Sequence, residues 1–106
     1  MIKEIAQTPV PPYYAVIFTS KRTDGDNGYS QLSDKMNEMV KDQPGFLGFE
    51  SARNEIGISI SYWKSLDDIQ NWKFNYAHLL AQKKGKETWY QGYKVRICAV
   101  ERDYEF

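Results

Sequence analysis

His78 is the only histidine of this 106-residue chain, and histidine is the one side chain whose ordinary pKa lets it take and return a proton near neutrality. It stands six residues after Trp72 and four before Gln82, and the stretch from Tyr62-Trp63-Lys64-Ser65-Leu66 to Trp89-Tyr90 holds all three tryptophans of the chain as well. A small domain needs only a plain amphipathic helix in such a stretch. The density of indole and phenol rings around a single imidazole instead predicts an aromatic-walled pocket with very few polar groups inside it. Its chemistry would be stacking, hydrogen bonding and proton transfer on a flat small molecule.

The rest of the chain has to form and position that pocket. One domain is all that 106 residues supply. Lysine and arginine number 14, and so do aspartate and glutamate, so the electrostatic footprint of a nucleic-acid or anionic-membrane binder is missing and neither partner is expected. Residues 1–7 lack an apolar signal core, and no run approaches the ~20 apolar residues that cross a bilayer. The single cysteine, Cys98, has no internal disulfide partner and reads as a packing residue. Both observations lead to the expectation of a cytoplasmic protein.

Pro9, Pro11 and Pro12 make residues 1–12 an extended, loosely held, flexible arm, and the domain proper is read as 13–106. Residues 13–20 alternate two apolar sets, Tyr14/Val16/Phe18 and Tyr13/Ala15/Ile17, as a strand buried on both faces does. After the turn cluster Asp24-Gly25-Asp26-Asn27, Tyr29, Leu32, Met36, Met39 and Val40 recur at helical spacing over 28–41, with the two methionines as core filler. Pro44 ends that helix. Residues 46–53 read as a strand; Ile56, Ile58, Ile60 and Tyr62 alternate with Gly57, Ser59 and Ser61 as its hairpin partner. Ser65, with Asp68 three residues on, caps a second helix whose inner stripe is Leu66, Ile69 and Trp72. A further helical piece over 77–84 is expected to end at Gly85, its Lys83, Lys84 and Lys86 a solvated helix end. Residues 93–102 form the last strand.

Strand, helix, strand, strand, helix, strand is the split unit of a ferredoxin-like α+β fold: a four-stranded antiparallel sheet with helices on one face. The other face stays uncovered, and a homodimer joined through the open sheet faces is the economical way to bury it.

Over residues 13–101 the chain resembles the antibiotic biosynthesis monooxygenase (ABM) domain family of the dimeric α+β barrel group, and within it the small bacterial members. The resemblance rests on Pro44-Gly45-Phe46 before strand two, Tyr62-Trp63-Lys64-Ser65-Leu66 between strand three and helix two, then Trp72-Lys73, His78, Ala81-Gln82, Gly85, Trp89-Tyr90 and the final strand. It implies a pocket between sheet and helices in which some relatives oxidise polyphenols with dioxygen, without metal or flavin, the deprotonated substrate supplying the electrons. Carried over to this chain, His78 is the base and Gln82 the hydrogen-bonding group, while Trp72, Trp89, Tyr14, Phe18 and Tyr62 hold the substrate. No nucleophile triad, metal-ligand cluster, phosphate loop or dinucleotide fingerprint occurs in the chain, in keeping with a site that needs no cofactor.

Two other readings stay open. Heme-degrading members of the same family pair a helical tryptophan with a histidine ten residues later and an asparagine on the first strand; here Gln82 stands ten after Trp72, and the first strand offers Thr19 and Ser20. A glutamine ligates heme iron poorly. A dimer of this kind also suits a binding or stress-related protein with no turnover at all, and helical spacing alone accounts for Trp72 as a core residue.

Overall fold

The computed structural model describes residues 4–106, the side chains of Tyr76 and Ala77 excepted. Its elements are β1 (Tyr13–Arg22), α1 (Tyr29–Val40), β2 (Phe46–Arg53), β3 (Gly57–Trp63), α2 (Leu66–Lys73), α3 (Tyr76–Lys84), one π-helical turn (Gly85–Trp89) and β4 (Tyr90–Val100). The four strands form one antiparallel sheet in the order β2-β3-β1-β4, the ferredoxin-like α+β arrangement expected from the order of the elements.

Register decides what the helices see. Tyr14 lies opposite Trp63 and Ala99, Val16 opposite Ser61 and Ile97, and Phe18 opposite Ser59 and Val95. Directly opposed residues share a face, and Trp63 packs with Val40 of α1 and Ile69 of α2, so this is the helix-covered face. Trp63 is fully buried and anchors the core, joined by Tyr14, Val16, Phe46 and Trp72. Its ring meets Phe46 edge-on at 5.4 Å, and its indole N–H donates to the Ser61 hydroxyl at 2.8 Å. The regular isoleucine alternation of β3 belongs to the other side: Ile58, Ile60 and Tyr62 share the open face with Ala15 and Ile17, while Gly57, Ser59 and Ser61 lie beneath the helices.

Part of the open face is covered by the chain itself. The Ala6 amide donates to Glu50 Oε2 at 3.0 Å, Thr8 Oγ1 to the Tyr13 hydroxyl at 2.9 Å, and that hydroxyl to Asp103 at 2.5 Å. The described part of the arm, from Glu4 onwards, is therefore tied to β1, β2 and the C-terminal segment, where proline content alone predicts loose attachment; residues 1–3 lie outside the described residues. Tyr13 is buried as a result.

Two turns fix the helical layer. Ser65 accepts from the Asp68 amide at 3.1 Å and donates its hydroxyl to the Asp68 carboxylate at 2.8 Å, a cap of about 1 kcal/mol that starts α2 where expected. Gly45, at φ 79°, sits directly against Asp68: a Cβ on Gly45 would come within 2.7 Å of the Asp68 Cβ, so the Pro44-Gly45 turn and the α2 start are built as one contact. α3 ends at Lys84, directly before Gly85, as expected, and the backbone then runs on through the π turn to Trp89. The missing Gly85 side chain also serves packing, since a Cβ would come within 2.9 Å of the Tyr90 ring.

Candidate functional site

The end of α2 and the start of α3 bring three of the expected residues together. The Trp72 and His78 rings stack with centroids 4.9 Å apart at 18°, and Trp72 in turn lies on Trp63 at 6.5 Å and 29°. The stack thus runs from the buried core outward to a half-buried imidazole. His78 Nδ1 lies 3.0 Å from the Trp72 carbonyl oxygen. A carbonyl can only accept, so Nδ1 carries the hydrogen and the lone pair is left on Nε2. Burial lowers the His78 pKa from its ordinary 6.5, the Lys73 charge acts in the same direction, and the bond to Trp72 opposes both. At pH 7 the ring is a neutral base.

Gln82 is less free. Its side-chain amide donates to the Lys73 carbonyl at 3.1 Å, so Gln82 and His78 both cap the last carbonyls of α2, that of Trp72 shared with the Asn75 amide at 3.0 Å. The Gln82 side-chain oxygen and its second amide N–H are left to meet a ligand.

The helix-covered face of the sheet is left partly open along β4, and this strip is the candidate groove. α3 leans on α1 and α2, while Val95 and Ile97 of β4, on the helix-side face, stay 48% and 54% exposed. Val16 and Phe18 form the neighbouring strip of floor. Tyr14 lies at the Trp63 end. At the far end Phe18 packs against Tyr90 and Tyr93 with ring centroids 5.4 and 5.2 Å away. Trp89 is buried there, edge-on to Tyr29 at 5.6 Å, its N–H pinned to the Asn27 carbonyl at 2.9 Å. It closes the loop before α1 as a structural bolt, away from the His78 end.

Tyr62 is placed elsewhere. It is on the open face, edge-on to Tyr13 at 5.9 Å, and donates to Glu50 at 2.6 Å. Burial raises its hydroxyl pKa, and the Glu50 bond and charge raise it further. The tyrosine therefore stays protonated as a donor to Glu50, and the tryptophan next to it, Trp63, is the residue beneath Trp72. Among the described residues no three His, Cys, Asp or Glu side chains come close enough to hold a metal ion, and no helix is long and apolar enough to cross a membrane.

A sheet of this order under such helices is the fold of the ABM proteins. Over 89% of this chain and 94% of its own, a candidate antibiotic biosynthesis monooxygenase of Nitrosomonas europaea superposes with a TM-score of 0.70 at 14% identity. SnoaB of Streptomyces nogalater, a cofactor-independent oxygenase, does so with a TM-score of 0.74 at 9% identity over 88% of this chain and 97% of its own. Rv0793 of Mycobacterium tuberculosis reaches 0.76 at 12% identity over 88% and 99%. At these identities the likeness is one of fold. No protein-family model matches the chain. In sequence it is 44% identical to the uncharacterised protein YqjZ of Bacillus subtilis over 108 residues, covering 100% of this chain and 95% of that protein. The chain belongs to the YqjZ family.

Proposed function

We propose that the protein is a cofactor-independent monooxygenase that takes an aromatic or polyphenolic small molecule into the groove along β4, working as a cytoplasmic homodimer. The observation that carries the reading is the His78 ring: neutral, stacked on Trp72, with Nδ1 engaged and a lone pair on Nε2. A phenol entering the groove gives its proton to Nε2. The resulting phenolate supplies electrons to dioxygen; one oxygen atom stays on the substrate, the other leaves as water, and the substrate provides all four electrons. Trp72 gives the flat surface, the apolar floor of Val16, Phe18, Val95 and Ile97 excludes water from the anion, and the Gln82 side-chain oxygen accepts a second substrate hydroxyl.

The likeness to SnoaB, described as cofactor-independent, supports the choice over a bare binding protein. Heme is the weaker reading, because the position that the resemblance implies for the iron ligand holds Gln82, and a glutamine ligates heme iron poorly. For the dimer, the support is the apolar open face, where Ile58 is 45% exposed beside Ile60 and Ile17; light scattering is expected to give twice the 12.4 kDa chain mass.

The test is oxygen consumption by the purified, metal-free protein across a panel of quinols, naphthols and flavonoid-like phenols. We expect uptake with at least one class, matched by one oxygen atom gained in the product mass. No uptake with any of them rejects the enzymatic reading and leaves ligand binding.

A further inference from the structure

The far end of the groove carries two cations that the proton transfer above does not use. Arg53, at the end of β2, reaches across β3: its guanidinium lies over Gly57, where a Cβ would come within 2.1 Å of Arg53 Cζ, and it bonds the hydroxyl of Ser20. Ser20 is 3% exposed, a buried polar residue on the groove side of β1. Arg22 lies two residues further along β1, at its end. Its guanidinium stacks on the Tyr29 ring at 3.6 Å and donates to the Trp89 and Gly25 carbonyls at 3.0 and 3.1 Å.

Among the described residues, neither arginine has a carboxylate within ion-pair distance; the one ion pair there is Lys41–Glu38. Each guanidinium has five N–H donors, and the bonds named here occupy two of them in each; the second for Arg53 is a long contact of 3.5 Å to the Ser20 carbonyl. In a chain with no net charge, two oriented guanidinium groups near Phe18, Tyr90 and Tyr93, neither in a direct ion pair although the Asp26 carboxylate feels the Arg22 charge, form a local site for an anion attached to a ring. The Tyr90 hydroxyl senses both charges. Burial and a hydrogen bond with Tyr29 raise its pKa, and Arg53 and Arg22 pull it back down.

We propose that Arg53 and Arg22 form a carboxylate-binding subsite, and that the natural ligand of the groove is an aromatic carboxylic acid whose acid group lies between them with its ring on Phe18, Tyr90 and Tyr93. A carboxylate suits the planar fork of a guanidinium. Gly57 is a positioning residue, since only the absence of its side chain lets Arg53 lie across the strand to Ser20. The proposal rests on the groove being a ligand site.

Isothermal calorimetry with 2-naphthoate and 2-naphthol at pH 7 separates the two ideas, because the probes share a ring system and differ in charge. The wild type is expected to bind the acid roughly five- to tenfold more tightly, as a partly exposed charge-assisted pair allows, with the advantage shrinking in high salt. Arg53→Gln is expected to abolish most of that preference while leaving 2-naphthol affinity unchanged. Gly57→Ala keeps the charge but has to displace it, and is expected to act in the same direction. Lys35→Gln removes a charge from an exposed lysine in the middle of α1 and is expected to have no effect. Equal binding of the two probes by the wild type, or a preference that survives Arg53→Gln, overturns the subsite and leaves the groove standing. Failure of both probes to bind overturns groove and subsite together.

Discussion

Replacing Trp63 with alanine is expected to cost about 3–5 kcal/mol, the range for truncating a large buried aromatic, out of a total stability of roughly 5–15 kcal/mol for a domain of this size. Trp63 joins several parts of the molecule. Trp63 is fully buried between Val40 of α1 and Ile69 of α2, meets Phe46 edge-on, and stands opposite Tyr14 on β1. Neighbours on four elements cannot all move into the space it leaves, so the cavity persists and its cost adds to the lost transfer energy. Urea unfolding followed by circular dichroism checks this. The midpoint should fall by about 3 M for a urea dependence near 1.3 kcal/mol per molar, and Trp63→Phe should lose clearly less. A midpoint within 0.5 M, roughly the noise of such an extrapolation, would mean that the core does not hinge on this ring. The variant has a second consequence. Trp63 supports Trp72, which supports His78, so material that stays folded should also lose affinity for aromatic ligands.

The importance of Trp63 shows what a linear pattern conveys and what it omits. Helical spacing, the Pro44-Gly45 stop, the Ser65 cap and the two-residue alternation of β3 place the elements because each depends on local backbone chemistry. Alternation also says that Tyr62 and Trp63 point to opposite faces. It does not say which face the helices will cover. The isoleucines of β3 look like the core and lie on the open side, while the modest set Gly57, Ser59, Ser61 and Trp63 sits beneath the helices. Grouping Tyr62 with Trp72 follows from nearness in sequence, and the strand register separates them.

The same holds for single polar atoms. The stretch 72–82 announces its chemistry by residue type, yet the engagement of Gln82 and His78 with the carbonyls of Lys73 and Trp72 depends on the bend between α2 and α3, which no spacing encodes. Gly85 carries a glycine signal that fits the end of α3, and no spacing shows its close approach to Tyr90. The proposed arginine subsite had no signal, because Arg22 and Arg53 are 31 positions apart and come to the same end of the sheet only through the pairing of β1, β3 and β2. A search for lone arginines at strand ends opposite glycine would have found Arg53.

His78→Phe gives the sharpest separation of structural from chemical roles at the helix junction. Phenylalanine keeps a flat ring against Trp72 and removes both nitrogens, so the stack survives while the Nε2 lone pair and the Nδ1–H bond to Trp72 are lost. With a phenolic substrate that supports oxygen uptake, the rate is expected to fall about 100-fold or more, the usual contribution of a general base, with KM little changed because the ring contacts remain. The pH profile carries the independent signature. Burial holds the folded-state pKa of His78 below 6.5, so wild-type kcat/KM should keep its plateau to a pH lower than an ordinary histidine would permit and then decline with a single proton, whereas the residual rate of the variant should lack that limb. Stability follows the same sign. The unfolded chain binds the His78 proton at a higher pH than the folded one, so the wild type holds its full His78 contribution above about pH 6.5 and loses it as the pH falls through the lowered folded value. The variant has no such loss, and the stability difference between the two proteins, measured by urea unfolding at pH 7.5 and at pH 5, should shift against the wild type at the lower pH. An unchanged oxygen-uptake rate in His78→Phe, together with the stability shift, would assign His78 to the end of α2 alone and take the base out of the mechanism.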